Sequence, residues 1–160
     1  MYILAAQRDK DPVGSFARYR EYVEQNRAGY PDGALRLASS DWYFNPEDRR
    51  CPHDGWLESV TIVEPSRGDR GEIRSLRIAV RLLGGWHDGH IEMTYSDVIA
   101  YDMSVLDAHQ GHSDWRYDEF RLGEAGALIH EVEWAAGGRW IIECADVDHR
   151  WLPMSSTGGP

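Results

Sequence analysis

The sequence is poor in cysteine and contains no long apolar run. Its two cysteines, Cys51 and Cys144, are far apart and form no C-x-x-C motif. This is typical of a reduced protein and argues against a secreted disulfide scaffold. No stretch approaches the roughly 18 apolar residues of a membrane span. The first eight residues lack the basic region that opens a signal peptide. We therefore expect a cytoplasmic protein without a membrane partner.

Basic charge is scarce in the second half of the chain. Residues 81–160 hold 14 Asp and Glu against 5 Arg, and the whole chain has a net charge of −10. Such an excess repels nucleic acid and anionic membranes and attracts basic protein surfaces. The charge therefore argues against a nucleic-acid partner and favours a basic protein partner.

Recognised catalytic and cofactor motifs are also missing. The chain has no P-loop, no G-x-G-x-x-G, no H-E-x-x-H and no G-x-S-x-G. We expect no cofactor. Because no motif fixes a reaction, a non-enzymatic role is favoured over an enzymatic one.

The patterns along the chain predict one α+β domain over residues 1–153 and a flexible tail over 154–160. An amphipathic pattern from Val13 to about Ala28, preceded by Asp11 and Pro12, predicts a single N-terminal helix. A short strand is expected at 2–6, and seven more follow near 56–63, 72–83, 90–96, 98–104, 115–122, 127–135 and 139–147. Tight turns between these runs predict an antiparallel β-meander of about seven or eight strands with the helix packed on it.

The sequence predicts which residues lie opposite each other in two hairpins. A two-residue turn at 88–89 (Asp-Gly) pairs His87 with His90 and Leu82 with Tyr95. This register separates an apolar face from a polar face, which supports it.

The last hairpin separates its faces best with a three-residue loop at 136–138. This loop places Val132 opposite Ile142 and His130 opposite Cys144. The reverse face then carries three glutamates, Glu131, Glu133 and Glu143. We expect them to form an outward-facing acidic row.

The acidic row is the leading candidate for a binding surface. With the neighbouring Asp114, Asp118 and Glu119, it would bind a basic partner by electrostatic steering. The alternative is that these carboxylates form a solvated face that keeps the protein soluble. Homo-oligomerisation through the tryptophan-rich hairpin is compatible with either interpretation.

Two histidine clusters offer a different function, a metal- or small-ligand-binding enzyme-like domain. The first cluster is His87, His90 and Glu92 beside the predicted turn, and the second is His109, His112 and Asp114 in a loop. Imidazole and carboxylate groups are ligands of divalent metals. The alternative is an exposed hairpin tip and a polar connecting loop without any ligand.

Cys51 and His53 suggest a third arrangement, a thiolate nucleophile beside a base. Residues this close in sequence rarely hold the geometry for attack, and no oxyanion-hole motif accompanies them. A structural loop is therefore the favoured interpretation of this segment.

Three stretches together resemble a group of small bacterial proteins of uncharacterised function. They are SSDWYFNPEDRRCPHDGWLE (39–58), RLLGGWHDGHIEMTY (81–95) and HSDWRYDEFRLGEAGALIHEVEW (112–134). The resemblance implies a bacterial, single-domain protein and carries no activity and no assigned residues. In composition, the chain is also similar to immunity proteins that neutralise toxins. That likeness implies a protein-interaction module with a basic toxin as its partner.

Overall fold

The structure is α+β, as predicted. The computed structural model describes residues 1–109 and 111–154. Two helices, α1 (Pro12–Gln25) and α2 (Asp32–Ala38), precede the strands. The described residues form ten strands, β1 (Trp56–Val63), β2 (Ser66–Arg67), β3 (Ile73–Arg74), β4 (Arg77–Leu83), β5 (Gly89–Ser96), β6 (Ala100–Met103), β7 (Trp115–Leu122), β8 (Leu128–Trp134), β9 (Arg139–Cys144) and β10 (Asp146–Pro153). Short 3₁₀ turns lie at Ala6–Asp9, Arg27–Gly29 and Glu124–Gly126.

The strands form three antiparallel sheets, so the prediction of a single meander of seven or eight strands was wrong. One sheet has the order β1-β4-β5-β10, a second has the order β6-β9-β8-β7, and β2 and β3 form a small hairpin. The run predicted as one strand over 139–147 is split at Ala145, where the chain leaves the second sheet and enters the first. The chain makes the reverse crossing between β5 and β6, at Asp97, whose φ is 44°.

The two larger sheets share one core. Buried side chains from both sheets form a single cluster, which includes Ile78, Met93, Phe120, Val132 and Ile142. The Tyr95 hydroxyl of the first sheet lies 2.8 Å from His130 Nδ1 of the second. The inner faces therefore pack directly on each other.

Helix α1 begins where the sequence predicts it. The Asp11 side chain accepts a hydrogen bond from the Gly14 amide at 2.9 Å, and Pro12 occupies the first helical position. The helix ends at Gln25 rather than near Ala28, and a 3₁₀ turn continues from it.

Helix α2 was not predicted, because its N-terminal cap is distant in sequence. The Asp146 carboxylate at the start of β10 accepts hydrogen bonds from the amides of Gly33 and Ala34, both at 2.9 Å. Position 33 requires glycine, since a Cβ atom there would lie 2.1 Å from the Val147 carbonyl oxygen. The helix is therefore fixed by a tertiary contact.

The register predicted for the β4–β5 hairpin was wrong by four residues. Leu82 pairs with Ile91 and Leu83 pairs with His90, so residues 84–88 form a five-residue loop. In this loop His87 has a φ of 56°, and a Cβ atom at Gly85 would lie 2.8 Å from the His53 carbonyl oxygen, so the loop has no room for a side chain at position 85. Because the shift is even, the same side chains still face the core.

The last hairpin is displaced by two residues from its predicted register. Val132 pairs with Trp140 and His130 pairs with Ile142. The turn closes with hydrogen bonds from the Gly137 amide to the Trp134 carbonyl at 2.8 Å and from the Trp134 amide to the Gly138 carbonyl at 2.9 Å. A glycine with φ of 89° at position 137 is typical of a three-residue hairpin loop.

The predicted tail lies outside the described residues except for Met154, whose amide donates to the Asp88 carbonyl at 2.9 Å. Within the described part of the chain, no helix has the length and apolar character needed to cross a membrane.

Candidate functional site

The three predicted glutamates share the outer side of the second sheet, but they do not form an exposed row. Glu131 is fully buried, contrary to the expectation. It forms ion pairs with Arg121 at 2.7 Å and with Arg139. Glu133 is half-buried and pairs with Arg8 at 3.2 Å. Two of the three carboxylates are therefore neutralised within the chain.

A segment of the chain itself covers this face. Glu119 lies opposite Glu131 across β7 and β8 and is also fully buried. Its Oε2 atom accepts hydrogen bonds from three consecutive backbone amides, Tyr2 at 2.8 Å, Ile3 at 2.8 Å and Leu4 at 3.2 Å. The strand predicted at 2–6 was wrong: no strand forms there, and residues 2–4 are held over the sheet by this carboxylate. Sequence reasoning missed the contact because more than a hundred residues separate its two sides.

Asp118 and Asp114 do not extend an exposed acidic surface either. Asp118 is buried and accepts hydrogen bonds from Tyr43 Oη at 2.8 Å, His130 Nε2 at 2.9 Å and Trp115 Nε1 at 3.0 Å. Asp114 is half-buried and accepts a hydrogen bond from the Trp56 indole at 2.7 Å. Both carboxylates orient neighbouring side chains.

The remaining member of the row, Glu143, has no ion-pair partner among the described residues and lies beside β6. In the register of β9 with β6, Glu143 lies opposite Ala100. Asp102, two residues further along β6, is exposed and likewise has no ion-pair partner among the described residues. The acidic charge that stays available on the second sheet is therefore concentrated at its β6 side.

The backbone of β6 is open on the side away from β9. The Ser104 amide donates to the Arg139 carbonyl at 3.1 Å, which shows that Ser104 points its backbone groups at β9. Backbone direction alternates along an antiparallel strand, so Asp102 also points at β9, whereas Tyr101 and Met103 point away. No backbone hydrogen bond of Tyr101 or Met103 on that outer side occurs within the described residues.

Large apolar side chains surround this open backbone. They are Ile99, Tyr101, Val105 and Leu106, with exposed fractions of 66, 46, 37 and 73 %. We call strand β6 with Ile99, Val105 and Leu106 the β6 edge. An exposed strand edge flanked by apolar residues is a template for pairing with another chain.

Other elements of the chain cover the outer backbone of β7 and the start of β10. Tyr19 Oη accepts from the Phe120 amide at 2.9 Å and donates to the Phe120 carbonyl at 2.9 Å on β7, and Tyr22 Oη accepts from the Leu122 amide at 3.0 Å. Strand β1 carries a bulge between Leu57 and Ser59. Strand β10 is covered at its start by α2. Covering groups and bulges hinder strand addition. Strand β6, by contrast, pairs with β9 without a register shift, and its outer backbone has no hydrogen bond within the described residues.

The first histidine cluster is not assembled by the fold. His87 lies in the loop and packs edge-to-face against Trp56, with ring centroids 4.4 Å apart, whereas His90 lies 3.4 Å from Glu58. Glu92 pairs with Arg81 at 2.7 Å. The three predicted ligands therefore have different partners.

The second histidine cluster is also separated. His112 packs against Trp134 and Trp140, with its ring centroid 5.0 Å from that of each, and burial lowers its pKa. His109 is exposed, and its amide donates to Asp107. Among residues 1–109 and 111–154, no group of three or more His, Cys, Asp and Glu side chains is placed to hold a metal ion.

Cys51 does not have the environment of a nucleophile. It is buried, and burial raises the pKa of its thiol to about 12. His53 Nδ1 lies 3.1 Å from Asp54 Oδ1. The thiol therefore stays protonated at neutral pH and acts as a small apolar group.

Comparison of the chain with protein-family models, with curated proteins and with solved structures gave no match. The function has to be inferred from the geometry of the chain itself.

Proposed function

We propose that the protein is a non-enzymatic protein-interaction module that binds a basic, extended segment of a partner protein at the β6 edge. The observation that carries the proposal is the pair of outward-facing backbone positions, Tyr101 and Met103, on an edge strand with exposed apolar neighbours. A partner strand would add to this edge through main-chain hydrogen bonds, and pockets for alternate side chains would supply selectivity.

Charge supports a basic partner rather than an acidic or neutral one. Asp102 and Glu143 lie on the outer face beside the edge and have no ion-pair partner in the described residues. Lysine or arginine side chains on alternate positions of an added strand would reach them. The net charge of −10 would speed the encounter and make it sensitive to salt. The immunity-type role implied by composition is one form of this proposal, with a basic toxin as the partner.

The test is a capture experiment from a lysate of the organism that encodes the chain, at low and high salt. Tyr101→Pro removes an outward N–H while leaving the bonds of β6 to β9 intact, because proline is tolerated at that type of edge position. Tyr101→Thr removes the ring and keeps the N–H. We expect the unmodified chain and the Tyr101→Thr variant to retain the same basic protein and to release it at high salt. The Tyr101→Pro variant should not retain it.

Charge is tested separately by the double variant Asp102→Lys with Glu143→Lys. We expect it to lose the same partner, whereas Glu47→Lys, which changes charge on an exposed loop, keeps it. The proposal is contradicted if the Tyr101→Pro variant retains the same basic protein. It is also contradicted if the unmodified chain captures no basic protein at either salt concentration.

A further inference from the structure

A cavity of about 220 Å³ lies between α1, the loop at 43–53 and the first half of β7, away from the residues of the β6 edge. Its walls are largely aromatic and include Phe16, Phe44 and Tyr117. The Phe44 ring lies 4.9 Å from that of Tyr43 and 5.9 Å from that of Phe16, both in edge-to-face arrangements. A protein cavity of about 150 Å³ already admits benzene, so this one has room for a substituted aromatic ring.

The lining of the cavity includes a buried hydrogen-bond acceptor. Asp118 lines it and is 4 % exposed. Its Oδ2 atom accepts from Tyr43 and His130, and its Oδ1 atom accepts only from Trp115. Because each carboxylate oxygen can accept about two hydrogen bonds, Oδ1 retains one free position. An O–H or N–H group of a bound molecule can donate to it.

The network behind Asp118 holds this acceptor in place. With the proton of His130 on Nε2, that atom donates to Asp118 and Nδ1 accepts from the Tyr95 hydroxyl at 2.8 Å. Burial raises the pKa of Tyr95 well above its usual value, so the hydroxyl keeps its proton. The His130 ring also stacks on Phe120 at 4.1 Å. The carboxylate is therefore oriented before any ligand arrives, which lowers the cost of binding.

The lining of the cavity also includes an exposed cation. Arg116 lines it, is exposed and forms no ion pair among the described residues. Its guanidinium lies 5.5 Å from the centre of the Tyr117 ring. A planar guanidinium at this position suits a carboxylate, which it can bind through two parallel hydrogen bonds. The lining therefore combines a buried acceptor, aromatic walls and an exposed anion-binding group.

We propose that this cavity binds a small aromatic carboxylic acid that carries a hydroxyl or N–H donor on the far side of its ring. The ring lies between Phe16, Phe44 and Tyr117, the donor reaches Asp118 Oδ1, and the carboxylate reaches Arg116. The site is separate from the β6 edge and does not depend on the proposed protein partner.

The probe is 4-hydroxyphenylacetate, and its binding is measured by isothermal titration calorimetry at millimolar concentrations. Phenylacetate lacks the donor, and 4-hydroxyphenylacetamide lacks the charge. We expect each analogue to bind about tenfold more weakly than the probe, since phenylacetate loses one hydrogen bond and 4-hydroxyphenylacetamide loses the charge that would pair with Arg116. Equal binding of the three compounds, or no saturable binding of any of them, overturns the proposal.

Arg116→Gln tests the exposed cation without disturbing the core, because residue 116 is exposed. It should weaken 4-hydroxyphenylacetate about tenfold and leave 4-hydroxyphenylacetamide unchanged. Arg150→Gln is the matched control, since it makes the same change on an exposed position of β10. Amide chemical shifts must change at positions 44 and 117 on binding. Unchanged affinity in Arg116→Gln, or shifts confined to other regions, contradicts the assigned site.

Discussion

The tyrosine hydroxyls that cover β7 should contribute measurably to stability, and Tyr19 should contribute most. Its Oη atom donates to the Phe120 carbonyl and accepts from the Phe120 amide, both at 2.9 Å and both in the buried interior. Tyr30 Oη also donates to that carbonyl, at 2.7 Å. The Tyr19→Phe change therefore leaves the carbonyl with a partner but leaves the amide with none.

The magnitude follows from these contacts. A net intramolecular hydrogen bond stabilises by about 1 kcal/mol, and an unpaired buried donor costs about 1–3 kcal/mol. Tyr19→Phe should lower the free energy of unfolding by about 2–4 kcal/mol. Tyr30→Phe is the matched control, because the carbonyl keeps its bond from Tyr19, and it should cost about 1 kcal/mol.

Urea unfolding, followed by tryptophan fluorescence, measures both variants. The slope of the free energy against urea concentration should stay unchanged, since neither substitution changes the surface that unfolding exposes. Equal losses in the two variants, or a smaller loss for Tyr19→Phe, would refute the argument that Tyr19 covers the edge of β7.

Three further predictions concern separate sites. Gly137→Ala should lower the free energy of unfolding by about 1–2 kcal/mol in urea melts, because φ is 89° and the new Cβ atom would crowd Leu106; no loss would contradict the turn assignment. Since burial raises the pKa of Cys51 to about 12, a thiol reagent at pH 8 should modify it only upon unfolding. The stabilisation that comes from burying the protonated Cys51 thiol should be lost as pH rises from 9 towards 12. Rapid labelling of Cys51 in the folded protein would contradict this prediction. The Arg50 side chain, hydrogen-bonded to Asp48, lowers the pKa of that carboxyl to about 2. An NMR titration of Asp48 should give a midpoint near pH 2, and this midpoint should rise in Arg50→Gln. The stability that the ionised Asp48 contributes should be present above pH 3.8 and lost as the pH falls towards 2. An unchanged midpoint in Arg50→Gln would contradict the interaction of Arg50 with Asp48.

Local patterns predicted the parts of the fold that local chemistry determines. The cap at Asp11 set the start of α1, and alternation along β8 and β9 placed Glu131, Glu133 and Glu143 on one side of the sheet. The hairpin registers were wrong by even numbers of residues. Alternation fixes which face a side chain takes, but it does not fix the pairing when the turn contains several glycines.

Exposure could not be predicted in the same way, because it depends on distant contacts. Glu131 is buried by arginines on two other strands, and Glu119 is buried by residues 2–4. Asp118 faces the core because Tyr43 and His130 supply donors there. Charge reversal at position 131 would therefore test stability rather than binding. Within the described residues, Glu143 has no ion-pair partner and the outer backbone of β6 is not covered by another element, so both keep the accessibility that a binding surface needs.

Amide hydrogen exchange of Tyr101 and Met103, with and without the captured basic partner, tests the central claim most directly. Our account predicts that both amides exchange rapidly in the free protein, that Asp102 is protected by β9 throughout, and that Tyr101 and Met103 become protected in the complex. Protection of these two amides in the free protein, or an unchanged exchange rate when the partner is bound, would contradict the assignment of the β6 edge as the binding surface.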